Sequence, residues 1–321
     1  MRRIIGFIFY SIFHLLVMAE RLTPYVNPFV GTDGYGNVYP GAQIPFGGIQ
    51  ISPDTDADFY DAASGYKYSH STLMGFSLTH LSGTGIPDLG DFLFVPGTGE
   101  IKSVPGTHDE PEKGYRSHYS HDKEWASPGY YGVELIDYGV KAEMTAASRS
   151  GFFRFTYPKS DQAFILIDMN HTLWQSCPWA NLRQINDSTL VGYKLVKGWG
   201  PERHVYFAAT FSCKLNNFQI LQNGKPVIYD TKRFRSHLEA WGEKLMACVR
   251  FETQANQEIY VKTAISGVST EGALRNLQEL NGFDFDRTRE AADRLWEKEL
   301  SKFQVKGDLK TKQTFYTSAY H

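Results

Sequence analysis

The residues most able to do chemistry cluster between Asn27 and Asp91. The stretch opens with NPFVGTDGYGNVYPGAQIPFGGIQISPDT and continues with SGYKYSHSTLMGFSLTHLSGTGIPDLGDFLFVP. Its glycines let backbone approach a ligand closely or take positive φ. Among them stand Asp33, His80, Ser82, Thr84, Asp88 and Asp91. Donors and acceptors on tight loops suit a hydroxyl-rich ligand. The same residue types also cap their own turns with no ligand present.

Other chemistries fit these residues poorly. Gly31-Thr32-Asp33-Gly34-Tyr35-Gly36 lacks the Gly-Lys-Ser/Thr of a phosphate loop and a following helix. A GxSxG elbow is absent. His70, His80, His108, His118 and His121 match no zinc spacing, and HExxH is missing. Cys177, Cys213 and Cys248 are widely spaced and make neither a disulfide framework nor a CxxC pair. They read as small buried apolar residues, with one disulfide open to them in an oxidising compartment.

The elements that must position these loops are mostly strands. Short apolar pieces, Gly48 to Ile51 and Phe92 to Val95, sit between turn residues. Val133 to Tyr138 alternates, and Gly151 to Tyr157 follows. Ala163 to Asp168 is a continuous apolar run, the mark of a strand buried on both faces. Leu190 to Val196, Val205 to Phe211 and Phe218 to Leu221 continue the series. Asn223-Gly224 signals a hairpin turn before Pro226 to Tyr229. Leu245 to Phe251 and Glu258 to Ile265 complete about a dozen strands, which predicts a large antiparallel β-sandwich over residues 20–268. Past Ser269 the period changes. Thr270 to Leu280, Asp286 to Phe303 and Thr311 to His321 read as helices, so the fold class is mainly β with C-terminal linker helices over 269–321. The last helix has no C-terminal capping signal, and Phe315, Tyr316 and Tyr320 look short of partners. The sequence is therefore expected to stop inside a larger fold, leaving an apolar surface uncovered.

Composition narrows the function classes. The chain has 321 residues and a formal net charge of -2, which argues against nucleic-acid binding. Its 15% aromatic content favours strands and suits sugar stacking, although most rings are expected to fill the core. Arg2 and Arg3 precede an apolar run from Ile4 to Ala19 that ends in Val17-Met18-Ala19, the form of a secretory signal peptide over residues 1–19. No later run is long enough to span a bilayer. A secreted or periplasmic protein follows, with no membrane span once the signal is cleaved.

The NPFVGT…YPGA…PFG opening, the GFSLTHLSGTG…D.GD block and the later GYKLVKGWGPERHVYF segment resemble glycoside hydrolase family 92. The resemblance runs over residues 25 to 321. It implies an exo-acting, calcium-dependent α-mannosidase that removes terminal mannose from glycans with inversion. It also implies an N-terminal sandwich, a helical linker and a C-terminal (α/α)6 barrel, with the active site between the domains. Inversion needs one carboxylic acid and one carboxylate about 6.5–9.5 Å apart. In the family these groups and the calcium ligands belong to the barrel. No catalytic or metal-binding residue is therefore expected in this chain, which alone would be inactive. Its own share of the sugar pocket is expected at Gly65 with Tyr66, at His80, Ser82 and Gly83, at Asp88, and at Trp199. Trp174, Trp179 and Trp296 are expected to be structural.

The alternative is a stand-alone mannoside-binding or scaffold sandwich without catalysis. Half a pocket holds a sugar poorly, because contacts on one side leave the other wet. The partners expected are mannose-containing glycans and the barrel domain.

Overall fold

The computed structural model describes residues 20–57, 61–229 and 238–321. The leader expected over residues 1–19 lies outside the described residues.

Two antiparallel sheets pack face to face. The first holds seven strands in the spatial order Ser52–Asp54, Gly75–Ser77, Leu93–Thr98, Ser160–Asp168, Leu245–Thr253, Asn217–Gln222 and Lys225–Pro226. The second holds nine: Glu239–Gly242, Ser176–Asn186, Thr189–Lys197, Arg203–Phe211, Gln257–Ser266, Ser150–Tyr157, Val140–Ala146, Tyr130–Leu135 and Glu124–Ser127. Between them lies one core that includes Phe76, Phe94, Phe153, Phe155, Ile165, Ile167, Phe207 and Val261.

The strand Ser160–Asp168 shows why a continuous apolar run marks double burial. Ile165 and Ile167 enter the intersheet core. Phe164 and Leu166 face the other way, into a second cluster with Leu93, Val95, Tyr115 and Met246. Period-2 alternation carries both faces to apolar cover. The hairpin turn at Asn223-Gly224 forms with φ of 51° and 72°, the mirror-image geometry that Asn-Gly favours. Val140–Ala146, Ser176–Asn186 and the two edge strands Glu124–Ser127 and Glu239–Gly242 were not anticipated. The three cysteines are all free.

Three helices close the chain. α1, Thr270–Asn276, is capped by Ser269, whose hydroxyl accepts from Gly272 N at 3.0 Å. Ala273 and Leu277, the latter just past the helix, cover Val191, Ala208 and Ala264 on the outer face of the nine-stranded sheet. α2, Phe285–Leu300, and α3, Leu309–Tyr320, start at Asp284 and Asp308 caps.

The expectation that aromatic residues of the last helix lack partners needs correction. Tyr316 and Tyr320 are buried with Leu22, Val26, Trp296 and Leu300. Partners so distant in sequence, on the N-terminal segment, leave no local pattern to read. Phe315, 37% exposed, packs edge-on to Phe303. Trp296 is structural as expected, and its indole N–H donates to Gln43 O at 2.7 Å.

Candidate functional site

Loops at one end of the sandwich gather around Asp54, the last residue of an edge strand. Asp54 is fully buried. Its Oδ1 lies 2.7 Å from His80 Nε2 and its Oδ2 lies 2.7 Å from His171 Nε2. His80 Nδ1 is 2.8 Å from Gln50 O, so both ring nitrogens are held by oxygen partners. Burial alone would push the Asp54 carboxyl up, but the charge of His80 and the bonds from His171 and His80 hold it well below the usual carboxylate range.

Gly65 closes against this group. Its φ is +82°, and a Cβ there would stand 2.2 Å from Asp54 Oδ1 and 3.2 Å from the His80 ring. Only glycine lets the backbone approach so closely. The Gly65 carbonyl accepts from Thr55 N at 2.6 Å and Asp56 N at 3.2 Å.

A second buried carboxylate extends the network to the other sheet. Asp91 accepts a fork from Arg203, at 2.6 and 3.2 Å, and lies 2.9 Å from Lys194 Nζ. Thr79 Oγ1 donates to it at 2.8 Å. Burial would raise the Asp91 carboxyl; Lys194 and Arg203 hold it far below its ordinary value. Lys194 also donates to His171 O at 2.6 Å. One chain of polar contacts thus runs His80, Asp54, His171, Lys194, Asp91, Arg203, and pins the 78–92 and 169–175 loops to the nine-stranded sheet.

The residues singled out from sequence fall into four groups. Gly65 and His80 meet at Asp54. Asp88 accepts from Leu89 N at 2.6 Å and from the Gln175 amide, and Gly198 packs on that same Gln175. The hairpin tip carrying Trp199, 59% exposed, therefore sits beside Asp88. Ser82 and Gly83 lie on the loop tip, where Gly83 N donates to Asn37 O at 2.7 Å. Tyr66 points inward, and its hydroxyl donates to the buried Glu124 at 3.0 Å. Trp174 and Trp179 are 49% and 45% exposed rather than packed inside. Trp174 also takes φ of +76°, unusual for a bulky ring.

Asp54, His171, Lys194 and Arg203 were missed. SPD at 52–54 reads as a turn, His171 sits in loop sequence, and Lys194 and Arg203 lie inside the GYKLVKGWGPERHVYF segment, where only Trp199 stood out. Clefts such as the one lined by Ile44, Ala146, Leu280, Ala292 and Leu295 lie against α2, not at Asp54. Among the described residues no helix is long and apolar enough to cross a membrane.

Comparison with known proteins accounts for this architecture. Residues 25–266 match the glycosyl hydrolase family 92 N-terminal domain, and residues 272–321 match the glycosyl hydrolase family 92 catalytic domain. The structure of a family GH92 α-mannosidase from Bacteroides thetaiotaomicron is 74% identical over 94% of this chain, with a TM-score of 0.91. The same α-mannosidase is known in complex with mannoimidazole. An inverting mannosidase of the family from Bacteroides thetaiotaomicron VPI-5482 shares the fold at 23% identity over 94% of this chain and 39% of its own, with a TM-score of 0.77. An uncharacterized secreted glycosidase of Arthroderma benhamiae is 25% identical over 92% of this chain. The chain spans 41% of the first α-mannosidase and 40% of the fungal glycosidase. With the family's N-terminal domain matched over most of its length, the chain belongs to glycosyl hydrolase family 92.

Proposed function

We propose that this chain is the sandwich part of a secreted α-mannosidase that releases terminal α-linked mannose from glycans with inversion. The observation that carries the reading is the 74% identity, over 94% of the chain, to a family GH92 α-mannosidase that has been seen with mannoimidazole bound. The sandwich contributes one wall of the sugar pocket, and the catalytic domain contributes the other together with both carboxylates. The chain alone is inactive.

On this reading the loop end binds and orients. Asp54 and His80, both fully buried, lock the Gly65 backbone from behind and so fix the loops that form this wall. Trp199 offers a flat apolar face to a sugar ring. Asp88, braced by Gln175, ties that hairpin to the same wall. Terminal specificity arises because the catalytic domain closes the pocket behind a single residue. Calcium enters through the family resemblance, with ligands on the catalytic domain. Calcium takes six to eight oxygen ligands. Among the described residues, the metal-competent cluster is Asp56, His70 and His108, whose nitrogen donors do not suit that ion.

The test is to express the whole open reading frame and follow mannose release from α-mannobiosides by NMR. β-Mannose appearing first is the expected outcome, and release of no mannose, or of α-mannose first, sinks the proposal. A thermal-shift titration of this chain with mannose separates the alternative, since saturable stabilisation without the catalytic domain marks a binding module.

A further inference from the structure

Asp56, His70 and His108 come from three separate loops and meet beside the two-stranded ribbon of Thr72–Leu73 and Ser117–His118. One ligand atom of each lies within 4.8 Å of the others, and all three residues are half-buried. The two imidazoles pack with centroids 4.2 Å apart. Each ring is held at Nδ1 by a threonine hydroxyl: His70 by Thr55 at 3.0 Å and His108 by Thr72 at 2.9 Å. An oxygen partner at Nδ1 is how proteins orient metal-binding imidazoles, leaving the Nε2 lone pair to the ion.

Both Nε2 atoms face carboxylates, and the spacing is informative. His108 Nε2 is 3.3 Å from Asp56 Oδ2, and His70 Nε2 is 3.5 Å from Asp61 Oδ2. Where this chain makes a direct His–Asp bond, at Asp54, the atoms close to 2.7 Å. Ligands of a tetrahedral ion at 2.0–2.1 Å stand about 3.3 Å from each other, so the wider pairs here have the separation of two donors around one ion.

We propose that Asp56, His70 and His108 form a binding site for a divalent transition-metal ion of the zinc type, with water in the fourth position. Two imidazoles and a carboxylate suit zinc, cobalt or nickel rather than calcium or magnesium. The Arg116 guanidinium lies behind the site, donating to Thr55 O and Thr72 Oγ1, and its charge opposes the ion. Binding is accordingly weaker than at a closed structural zinc site. The bound ion would staple the segment carrying Gly65 and His70 to the loop carrying His108. No zinc spacing marks these residues in the sequence, because each ligand comes from a different loop.

The experiment is calorimetric titration of the untagged full chain with zinc chloride, with cobalt absorption as an optical readout and calcium and magnesium as controls. One zinc per chain is expected, with the binding lost in His70→Ala and in His108→Ala. Binding should persist in His118→Ala, whose exposed ring pairs with Asp137 instead. Thr72→Val should weaken binding by about 10–100-fold, the usual effect of removing an oxygen partner at Nδ1. Melting temperatures without metal confirm that each variant folds, and Asp56→Asn replaces any histidine variant that does not. Absence of saturable zinc binding overturns the proposal, and so does binding that survives the ligand substitutions.

Discussion

The loop end and the helical flank of this sandwich are both tied together by contacts distant in sequence, yet by opposite physics. At the loop end the ties are buried charges: Asp54 between two histidines, and Asp91 between Lys194 and Arg203. At the flank they are apolar: Leu22 and Val26 against Trp296, Leu300, Tyr316 and Tyr320. Apolar burial is non-directional and contributes free energy in proportion to area. Buried ion pairs are directional, and their Coulomb gain is largely offset by desolvation. The flank therefore adds to the stability of the intersheet core, while the loop end determines where particular atoms stand.

The sharpest way to break this contrast is Lys194→Met. Lys194 is fully buried, and its loss leaves Asp91 to Arg203 and the Thr79 hydroxyl and removes the bond to His171 O. Breaking a buried pair by one partner costs about 3–5 kcal/mol, and urea unfolding should show a loss in that range. Replacing both Asp91 and Lys194 with apolar residues should recover part of it, because both fully buried charges are then gone and Arg203, 30% exposed, can turn to water. If the double variant stays as unstable as the single one, the network is a source of stability and the contrast fails.

Trp296→Ala tests the other side. Trp296 is 5% exposed and also satisfies Gln43 O. Its truncation should cost about 3 kcal/mol, the lower end for a buried Trp. The loop end should be untouched, so mannose release by the complete enzyme, measured well below the melting temperature, should not change.

Acid titration gives a smaller effect, with opposite signs at two buried carboxylates. Asp54 has its folded-state pKa held down, so its contribution is full above the unfolded value of about 3.9 and is lost as pH falls through the folded one. Asp54→Asn should flatten the acid limb of stability against pH. Glu124, hydrogen-bonded by Tyr66 and Tyr131, is raised by burial in spite of these bonds. Its contribution is full below the unfolded value and declines as pH rises through the folded one, so Glu124→Gln should flatten that decline instead. Equal acid limbs in wild type and Asp54→Asn would show that the two histidines do not hold the carboxylate ionised.

The contrast also explains what the sequence revealed. Apolar patterning is local, so the run Ala163 to Asp168, the alternation of Val133 to Tyr138 and the helices after Ser269 were legible. Strands such as Ser176–Asn186 were not, because Pro178, Trp179 and several polar residues blur the period. At the site, His80 and Gly65 stood out only because they lie in a glycine-rich segment. Asp54, His171 and Lys194 gain their meaning from partners 26, 117 and 23 residues away, and no spacing encodes that.

The smallest effect on stability should come from Trp199→Ala, and for that reason it is the most telling for function. Trp199 is 59% exposed at a hairpin tip between Gly198 and Gly200, so truncation leaves no cavity. Surface changes of this kind stay within about 0.5 kcal/mol, and the melting temperature should barely move. An aromatic face stacked on a sugar ring is a different matter. Such contacts add about 1 kcal/mol beyond area, which is roughly a fivefold change in binding. If the full-length protein is the mannosidase proposed above, its kcat/KM should fall by about that factor, mostly through KM, because the ring meets ground state and transition state alike. Trp199→Phe should restore most of the loss. An unchanged kcat/KM would place this hairpin outside the sugar pocket and confine the sandwich's share of the site to the wall around Asp54.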